Sequence, residues 1–525
     1  MKTQKIGPFL GINNQLQDFE LNTESGRFLR SADNVNITDK GNISRRKASA
    51  LVQSLSAPHS LFNGHLVRSS ALYAVTLPAY GETLVKMLAS NARMSYCEFN
   101  GDIYYSNGTD SGRIASNGSV YPWGLPTPAA PSTSSIAGSL FAGKYQVSVS
   151  YSNSVTGEEG GVSARTVHTL AATGGIRVTL PGSTAGATHA NVYISTVNGG
   201  VPMLAATVSL GTATTDVTAD ATGREARSRR EEPIPAGTRI FMFNGRLCSA
   251  SGQTLYFGIP HRPGYMQVDE IEDGRIEFPG DISVAIGNQM GLYVVADKTY
   301  FFQGSDLGAV ELVRDVLPHG AVPGTEFELP HQPVVGWFGP YGFVLADTQG
   351  QCEMPMEKSV DLTPPASGVS AVFETLGMRR VVSCGWCMNL GNGAATTYSD
   401  FDFTSISEGY GTKTDGIYLI ESAGKVDAVV GFGKEDFAAE NEKRIPAAYL
   451  GCTSDEPLEL GVTTPGGDEF RYEARSCGAG MDIHRVDIGK GLRANWFDMT
   501  IRNTGGSDFT LASVSFAPVA SGRRI

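Results

Sequence analysis

Phe62-Asn63-Gly64-His65-Leu66, Phe99-Asn100-Gly101-Asp102-Ile103 and Phe243-Asn244-Gly245-Arg246-Leu247 state one pattern three times in a chain of 525 residues. Asn-Gly between apolar residues is the strongest short-range hairpin signal, because Asn and Gly tolerate the positive φ that both central positions of a type I′ turn require. The pairs Asn63-Gly64, Asn100-Gly101 and Asn244-Gly245 are therefore expected at the tips of tight hairpins, with a geometric role. A turn glycine before a short β-prone run recurs at Gly291-Leu292-Tyr293-Val294-Val295, Gly342-Phe343-Val344-Leu345 and Gly416-Ile417-Tyr418-Leu419-Ile420. From Gly64 the successive glycine-to-glycine intervals are 37, 144, 46, 51 and 74 residues. Four of these suit a four-stranded propeller blade of roughly 40–50 residues with loops. The interval of 144 exceeds a blade by about 100 residues, the size of a small β-sandwich.

The sequence thus predicts an all-β chain: a β-propeller of about six blades with an inserted immunoglobulin- or fibronectin-III-like β-sandwich and an N-terminal arm. The boundaries are 1–60 for the arm, 61–127 for the first part of the propeller and 128–232 for the sandwich. The propeller continues over 233–450, and 451–525 is a further β region expected to close it. In the arm, Asn34-Val35-Asn36-Ile37 and Ile43-Ser44-Arg45-Arg46-Lys47 flank a Gly41 turn and read as a hairpin. Pro122-Trp123-Gly124-Leu125-Pro126 reads as a stiff linker. Beyond it the chain becomes rich in Ser, Thr, Ala and Val, with alternating strands at Tyr145–Tyr151, 176–180, 190–195 and 204–208. A charged stretch from Arg224 to Glu232 leads back into the repeats.

Composition narrows the function. With 41 Lys and Arg against 53 Asp and Glu, the net charge is −12, which argues against a general nucleic-acid binder. No apolar run is long enough for a membrane helix, and Met1-Lys2-Thr3-Gln4-Lys5 does not open a signal peptide, so synthesis and assembly in a cytoplasm are expected. Seven cysteines are read as reduced thiols. Cys384-Gly385-Trp386-Cys387 has the spacing of half a zinc site, but no second ligand pair matches it, so neither metal nor cofactor is expected. Gly466-Gly467-Asp468-Glu469-Phe470 spells the diguanylate cyclase signature, yet only 55 residues follow it and it reads as a turn. Asp269, Glu270, Glu272, Asp273, Asp400, Asp402, Glu435 and Asp436 are the acids weighed for glycoside cleavage. They fall at predicted turns, no hydrolase motif accompanies them, and the expectation is a chain that is not an enzyme.

Gly11-Ile12-Asn13-Asn14, Asp33-Asn34-Val35-Asn36-Ile37, Gly41-Asn42-Ile43 and Arg45-Arg46-Lys47 together resemble the opening of the tail nozzle (tail hub) proteins of short-tailed bacteriophages. Arg239 to Leu247, with Leu255-Tyr256-Phe257-Gly258 and Gly304-Ser305, is similar to a propeller blade of that family. Gly491-Leu492-Arg493 before a final Phe-rich strand is similar to its end. Tyr145-Gln146-Val147-Ser148-Val149 with Gly157-Glu158-Glu159 resembles the fibronectin-III-like modules of phage structural proteins. The resemblance implies a virion protein forming a homo-hexameric ring at the distal end of a tail. Its partners would be a head-to-tail adaptor and tail fibres or spikes, with double-stranded DNA passing through. Arg45, Arg46 and Lys47 are then expected as assembly contacts, and deletion of residues 1–47 is expected to weaken assembly while leaving the propeller folded. Two alternatives stay open: a carbohydrate-binding or glycan-cleaving propeller for receptor recognition, and a distal-tail or baseplate protein of a long-tailed phage.

Overall fold

The computed structural model describes residues 4–226, 231–268, 274–304, 307, 312–375, 377–438 and 441–520. Asp269, Glu270, Glu272, Asp273, Ser305 and residues 227–230 of the charged stretch lie outside this set. The described residues are strand, turn and coil, with one turn of 3-10 helix at Asp18–Glu20 and no α-helix. The chain is an all-β propeller.

Among the described residues, six four-stranded sheets and the first four strands of a nine-stranded sheet carry the propeller pattern, seven units in all. Their first strands are His59–Phe62, Ser95–Phe99, Arg239–Phe243, Val284–Gly287, Phe327–Glu328, Ser370–Thr375 and Ser405–Ser407. In the first three, two-residue loops join the first strand to the second. Asn63 and Gly64 have φ of 44° and 67°, Asn100 and Gly101 of 52° and 81°, Asn244 and Gly245 of 46° and 73°, as type I′ turns require. The count is seven where six glycine frames were visible, and the reason is specific. The sixth sheet, Ser370–Thr375 to Ala395–Thr397, lies inside the 74-residue interval and turns on Cys384-Gly385, with φ of 54° and 75°. Gly342 and Gly416 begin the third strands of their sheets, not the second, so the later intervals mixed two kinds of turn.

The chain divides into two compact units, Met1–Thr83 with Tyr293–Phe301 and Arg314–Ile525, and Leu84–Leu292 with Phe302–Val313. In the first, the expected arm is instead part of the sheet framework. Gln4–Ile6 and Ile43–Arg45 both run antiparallel to Phe509–Phe516, and the hairpin Val35–Ile37 with Ile43–Arg45 forms in the register Asn36↔Ser44. Ser31–Asp33 lies between Ala395–Thr397 and Val429–Glu435 in a nine-stranded sheet that continues the sixth propeller sheet. Phe9, Leu29, Val35 and Ile43 are fully buried in one core with Phe432, Leu450, Leu460, Met499 and Val514. The apolar face of this N-terminal segment is thus covered by the C-terminal strands. Residues 428–450 and 451–516 together supply that cover. The seventh propeller sheet is completed by Ala48–Ser54, antiparallel to Gly416–Ser422, so the N-terminal side closes this sheet and not the C-terminal region.

Two glycines show how tightly the segment is held. A Cβ on Gly41 (φ 74°) would lie 2.5 Å from Pro8, and one on Gly11 (φ 103°) 2.7 Å from the Ala395 backbone nitrogen. A buried ion pair adds a fixed point: Arg27 donates to Glu435 at 2.5 Å and to the Phe432 carbonyl at 2.6 Å.

In the second unit, residues 133–217 form two facing sheets. One contains Thr133–Leu140, Gly174–Thr179 and Thr214–Val217; the other contains Glu159–Val162, Gly143–Ser152, His189–Ser195, Pro202–Ser209 and Thr166–Leu170. Tyr145, Val147, Val149, Ile176, Val178, Val192 and Ile194 fill the space between them, an inward set at period two. Glu159, 4% exposed, accepts hydrogen bonds from Ser150 at 2.5 Å, Asn191 at 2.9 Å, Tyr193 and Arg224. Burial raises its pKa, but these donors outweigh burial and hold it below the ordinary value.

Candidate functional site

Two of the three Asn-Gly turns meet in one cleft of the second unit. The Asn100-Gly101 turn contributes Phe99, Asn100 and Asp102, and the strands behind it contribute Tyr104 and Arg113. The backbone of Gly245 accepts a hydrogen bond at 3.1 Å from the amide of His261, which carries His261, Arg262 and Pro263 to the same place. The third side is the turn of the sandwich at Thr156 and Glu158. The turn forms because the Asn153 side chain caps it, accepting from the amides of Val155 at 2.8 Å and Thr156 at 3.1 Å, as an Asx turn does. The cleft encloses about 240 Å³.

Its walls are locked from behind. The Trp123 indole donates to the Ile234 carbonyl at 2.9 Å. The Tyr265 hydroxyl accepts from the Leu125 amide at 2.7 Å and donates to Glu158 Oε1 at 2.7 Å. Arg262 stacks 4.5 Å over the Tyr265 ring, donates to the Glu159 carbonyl at 2.7 Å and pairs with Glu231. Arg113 stands between two carboxylates, 3.3 Å from Asp102 and 3.6 Å from Glu158. Burial pushes the Glu158 carboxyl above the ordinary glutamate value; the Tyr265 hydrogen bond and the charges of Arg113 and Arg262 oppose it without cancelling it. By contrast the Asn100 carboxamide and the His261 imidazole have no hydrogen-bond partner among the described residues, and both residues are left-handed, with φ of 52° and 59°.

Of the sequence-predicted residues, Asn100 lines this cleft and Gly245 supports it, while Asn63 and Gly64 belong to the first unit. Arg45, Arg46 and Lys47 do not form an exposed basic cluster. Arg46 is buried, its guanidinium donating to Asn34 at 2.7 Å and the Ser399 carbonyl at 2.8 Å while stacking 5.1 Å over Tyr398. Arg45 pairs with Asp508 at 3.2 Å and donates to the Gly424 carbonyl at 2.8 Å. Lys47 alone of the three is exposed. These two arginines tie the N-terminal hairpin to its own chain. Glu158 and His261 were not singled out as a pair, and nothing in the sequence brings them within reach of Asn100. Glu435, weighed as a turn acid, is the buried partner of Arg27, and Asp402 pairs with Lys413 at 2.5 Å. Glu469 starts a strand directly after the turn at 464–468. Burial raises the Cys384 and Cys387 thiols. Among the described residues no group of three or more His, Cys, Asp or Glu side chains is placed to hold a metal, and no helix is long and apolar enough to cross a membrane.

No family model and no curated protein matches the chain. Solved structures do. An exo-β-1,3-galactanase of Phanerochaete chrysosporium with galactose is 10% identical over 81% of this chain and 95% of its own, at a TM-score of 0.20. A glycoside hydrolase family 43 arabinoxylan arabinofuranohydrolase of Bacillus subtilis is 9% identical over 75% and 96%, also at 0.20. BamB of Moraxella catarrhalis is 10% identical over 71% and 98%, at 0.28. The expectation that the chain is not an enzyme is withdrawn, since glycoside hydrolases stand among these structures. Carbohydrate-active proteins were the class of one alternative to the nozzle reading. At such TM-scores and identities no activity, substrate or partner passes from these proteins to this chain.

Proposed function

We propose that the chain is a structural β-propeller of a bacteriophage tail that works by assembling with copies of itself and with tail partners. The observation that supports assembly is an exposed outer strand. Gly478–Asp487 is the outermost strand of its six-stranded sheet, and Met481 and Ile483 on it are 53% and 69% exposed. Phe470, on the outermost strand of the nine-stranded sheet, is 38% exposed. Outer strands with large exposed apolar residues attract further strands unless they are covered, and covering them is what an assembly does. The resemblance of the N-terminal segment to tail nozzle proteins supports the same reading: Gly11, Asn34, Gly41 and Arg46, which carry it, hold the segment in place. Native mass spectrometry with negative-stain imaging of the purified protein tests it. A closed multi-subunit ring is expected, lost in the Met481→Lys/Ile483→Lys variant with its melting unchanged. A protein that stays monomeric at ~100 μM, where even a weak interface of ~10 μM Kd is mostly occupied, would refute the proposal.

The cleft favours a second reading, a carbohydrate-binding propeller. Aromatic and charged side chains converge there on one small cleft, the composition ligand sites share. A glycan-binding screen of the purified protein tests this reading, which fails if no glycan is retained.

A further inference from the structure

We infer that the cleft bounded by Asn100, His261 and Glu158 takes an electrically neutral, hydroxyl-rich ligand of one or two sugar rings, with Asn100 and His261 making direct contacts. The inference rests on the carbohydrate-binding reading and specifies its site and ligand class.

Three observations lead to it. The first is charge: the lining holds two carboxylates, Asp102 and Glu158, and two guanidiniums, Arg113 and Arg262. Arg113 is placed against both acids and Arg262 against Glu231 behind the wall. A strongly charged ligand would have to break one of these pairs, and truncating or diverting one partner of a desolvated pair is costly. A neutral ligand leaves them intact and still finds donors and acceptors on their outer edges.

The second is preorganisation. Trp123, Tyr265 and Arg262 are each fixed by a hydrogen bond to a backbone group, so binding does not have to order them. The partly exposed rings of Phe99 and Pro263 offer apolar surface to the C–H face of a sugar, with Trp123 and Tyr104 buried beneath. The volume of about 240 Å³ is just below the ~300–1,000 Å³ of sites for drug-sized ligands, which limits the occupant to one or two rings.

The third is the pair of polar groups left over. Asn100 needs no side-chain bond to hold its turn, since the left-handed φ and the Gly that follows do that. His261 sits at φ 59°, a left-handed position that His, like Asn, takes more readily than most side chains, and its exposed ring has no hydrogen-bond partner among the described residues. An amide and an imidazole supply both donors and acceptors, which suits hydroxyl groups that do both.

The test uses the full-length protein and saturation-transfer NMR with methyl β-galactoside, methyl β-glucoside and N-acetylglucosamine as neutral probes and galacturonate as the charged comparator. Asn100→Gly and His261→Gly remove the side chains while favouring the same backbone, and circular dichroism melting verifies their folds. At least one neutral probe is expected to bind saturably, with Kd in the ~mM range, more tightly than galacturonate. Either variant is expected to weaken it roughly tenfold, the factor carried by one hydrogen bond. If no probe binds, both this inference and the carbohydrate-binding reading fall. If a neutral probe binds equally well to both variants, or galacturonate binds tightest, the reading stands and the assignment of this cleft is overturned.

Discussion

Removal of residues 1–47 is expected to unfold the sheets of the C-terminal region. Ile6, Phe9, Ile12, Leu21, Leu29, Val35, Ile37 and Ile43 are each 4% exposed or less, and all but Leu21 belong to the same core as the strands between 428 and 516. Burying such a side chain is worth roughly 1.5–3 kcal/mol, so eight of them represent about 12–24 kcal/mol, against a net stability of ~5–15 kcal/mol for a typical domain. The loss also leaves Glu435 without Arg27 and exposes the edge of Phe509–Phe516 that pairs with Gln4–Ile6 and Ile43–Arg45. A milder form of the perturbation is Phe9→Ala. Phe9 lies with its ring centroid 6.0 Å from that of Phe432, and truncating it should cost about 3–5 kcal/mol. Scanning calorimetry reports the transition, and thiol labelling with peptide mapping reports the core directly, because Cys452 is 1% exposed and belongs to it. The truncated protein should label at Cys452 within the time that exposed Cys477 does. A truncated protein with the full calorimetric enthalpy and a protected Cys452 would refute the reasoning and restore the view of the segment as a detachable arm.

Arg27→Met should destabilise the first unit by about 3–5 kcal/mol, because it strands a buried carboxylate, while Arg27→Met with Glu435→Leu should recover most of the loss; chemical denaturation of both variants measures the difference. The sandwich should be acid-labile through Glu159. Its pKa is lowered in the fold, so its contribution is complete above the ordinary glutamate value of 4.5 and disappears as pH falls through the lowered value. Melting temperatures between pH 6 and pH 3 should drop for the native protein, whereas Glu159→Gln should start about 1–3 kcal/mol less stable and show a flatter acid limb.

The turns that could be read from the sequence are those whose chemistry is local. Asn-Gly declares its left-handed geometry in two letters, and three hairpins were visible for that reason. Ser69-Ser70, Cys384-Gly385 and Glu408-Gly409 take the same two left-handed positions with residues that do not advertise them, so one sheet was missed and the intervals around it were misassigned. The N-terminal segment was illegible for a different reason. Strands of three or four residues such as Gln4–Ile6 and Ser31–Asp33 carry almost no periodicity, and their partners lie several hundred positions away. Arg46 looked like a surface cation because its acceptors are Asn34 and a backbone carbonyl at Ser399, neither of which marks a buried arginine in sequence. The cleft combines the same two effects. Asn100 was visible as a turn residue, but Glu158 and His261 reach it only through the docking of the sandwich turn and the His261 loop.

The pairing of Ile43–Arg45 with Phe509–Phe516 also dictates a timetable. A ribosome adding ~5–20 residues per second needs roughly 25–90 s to travel from one strand to the other, and through that interval the apolar residues between Ile6 and Ile43 have no partner to fold against. The sheets from residue 59 onward can begin to form while the chain grows, because their strands are neighbours in sequence. Residues 4–45 leave the exit tunnel long before their partners and must be among the last to be placed. They are the part of a nascent chain that a chaperone would be expected to hold.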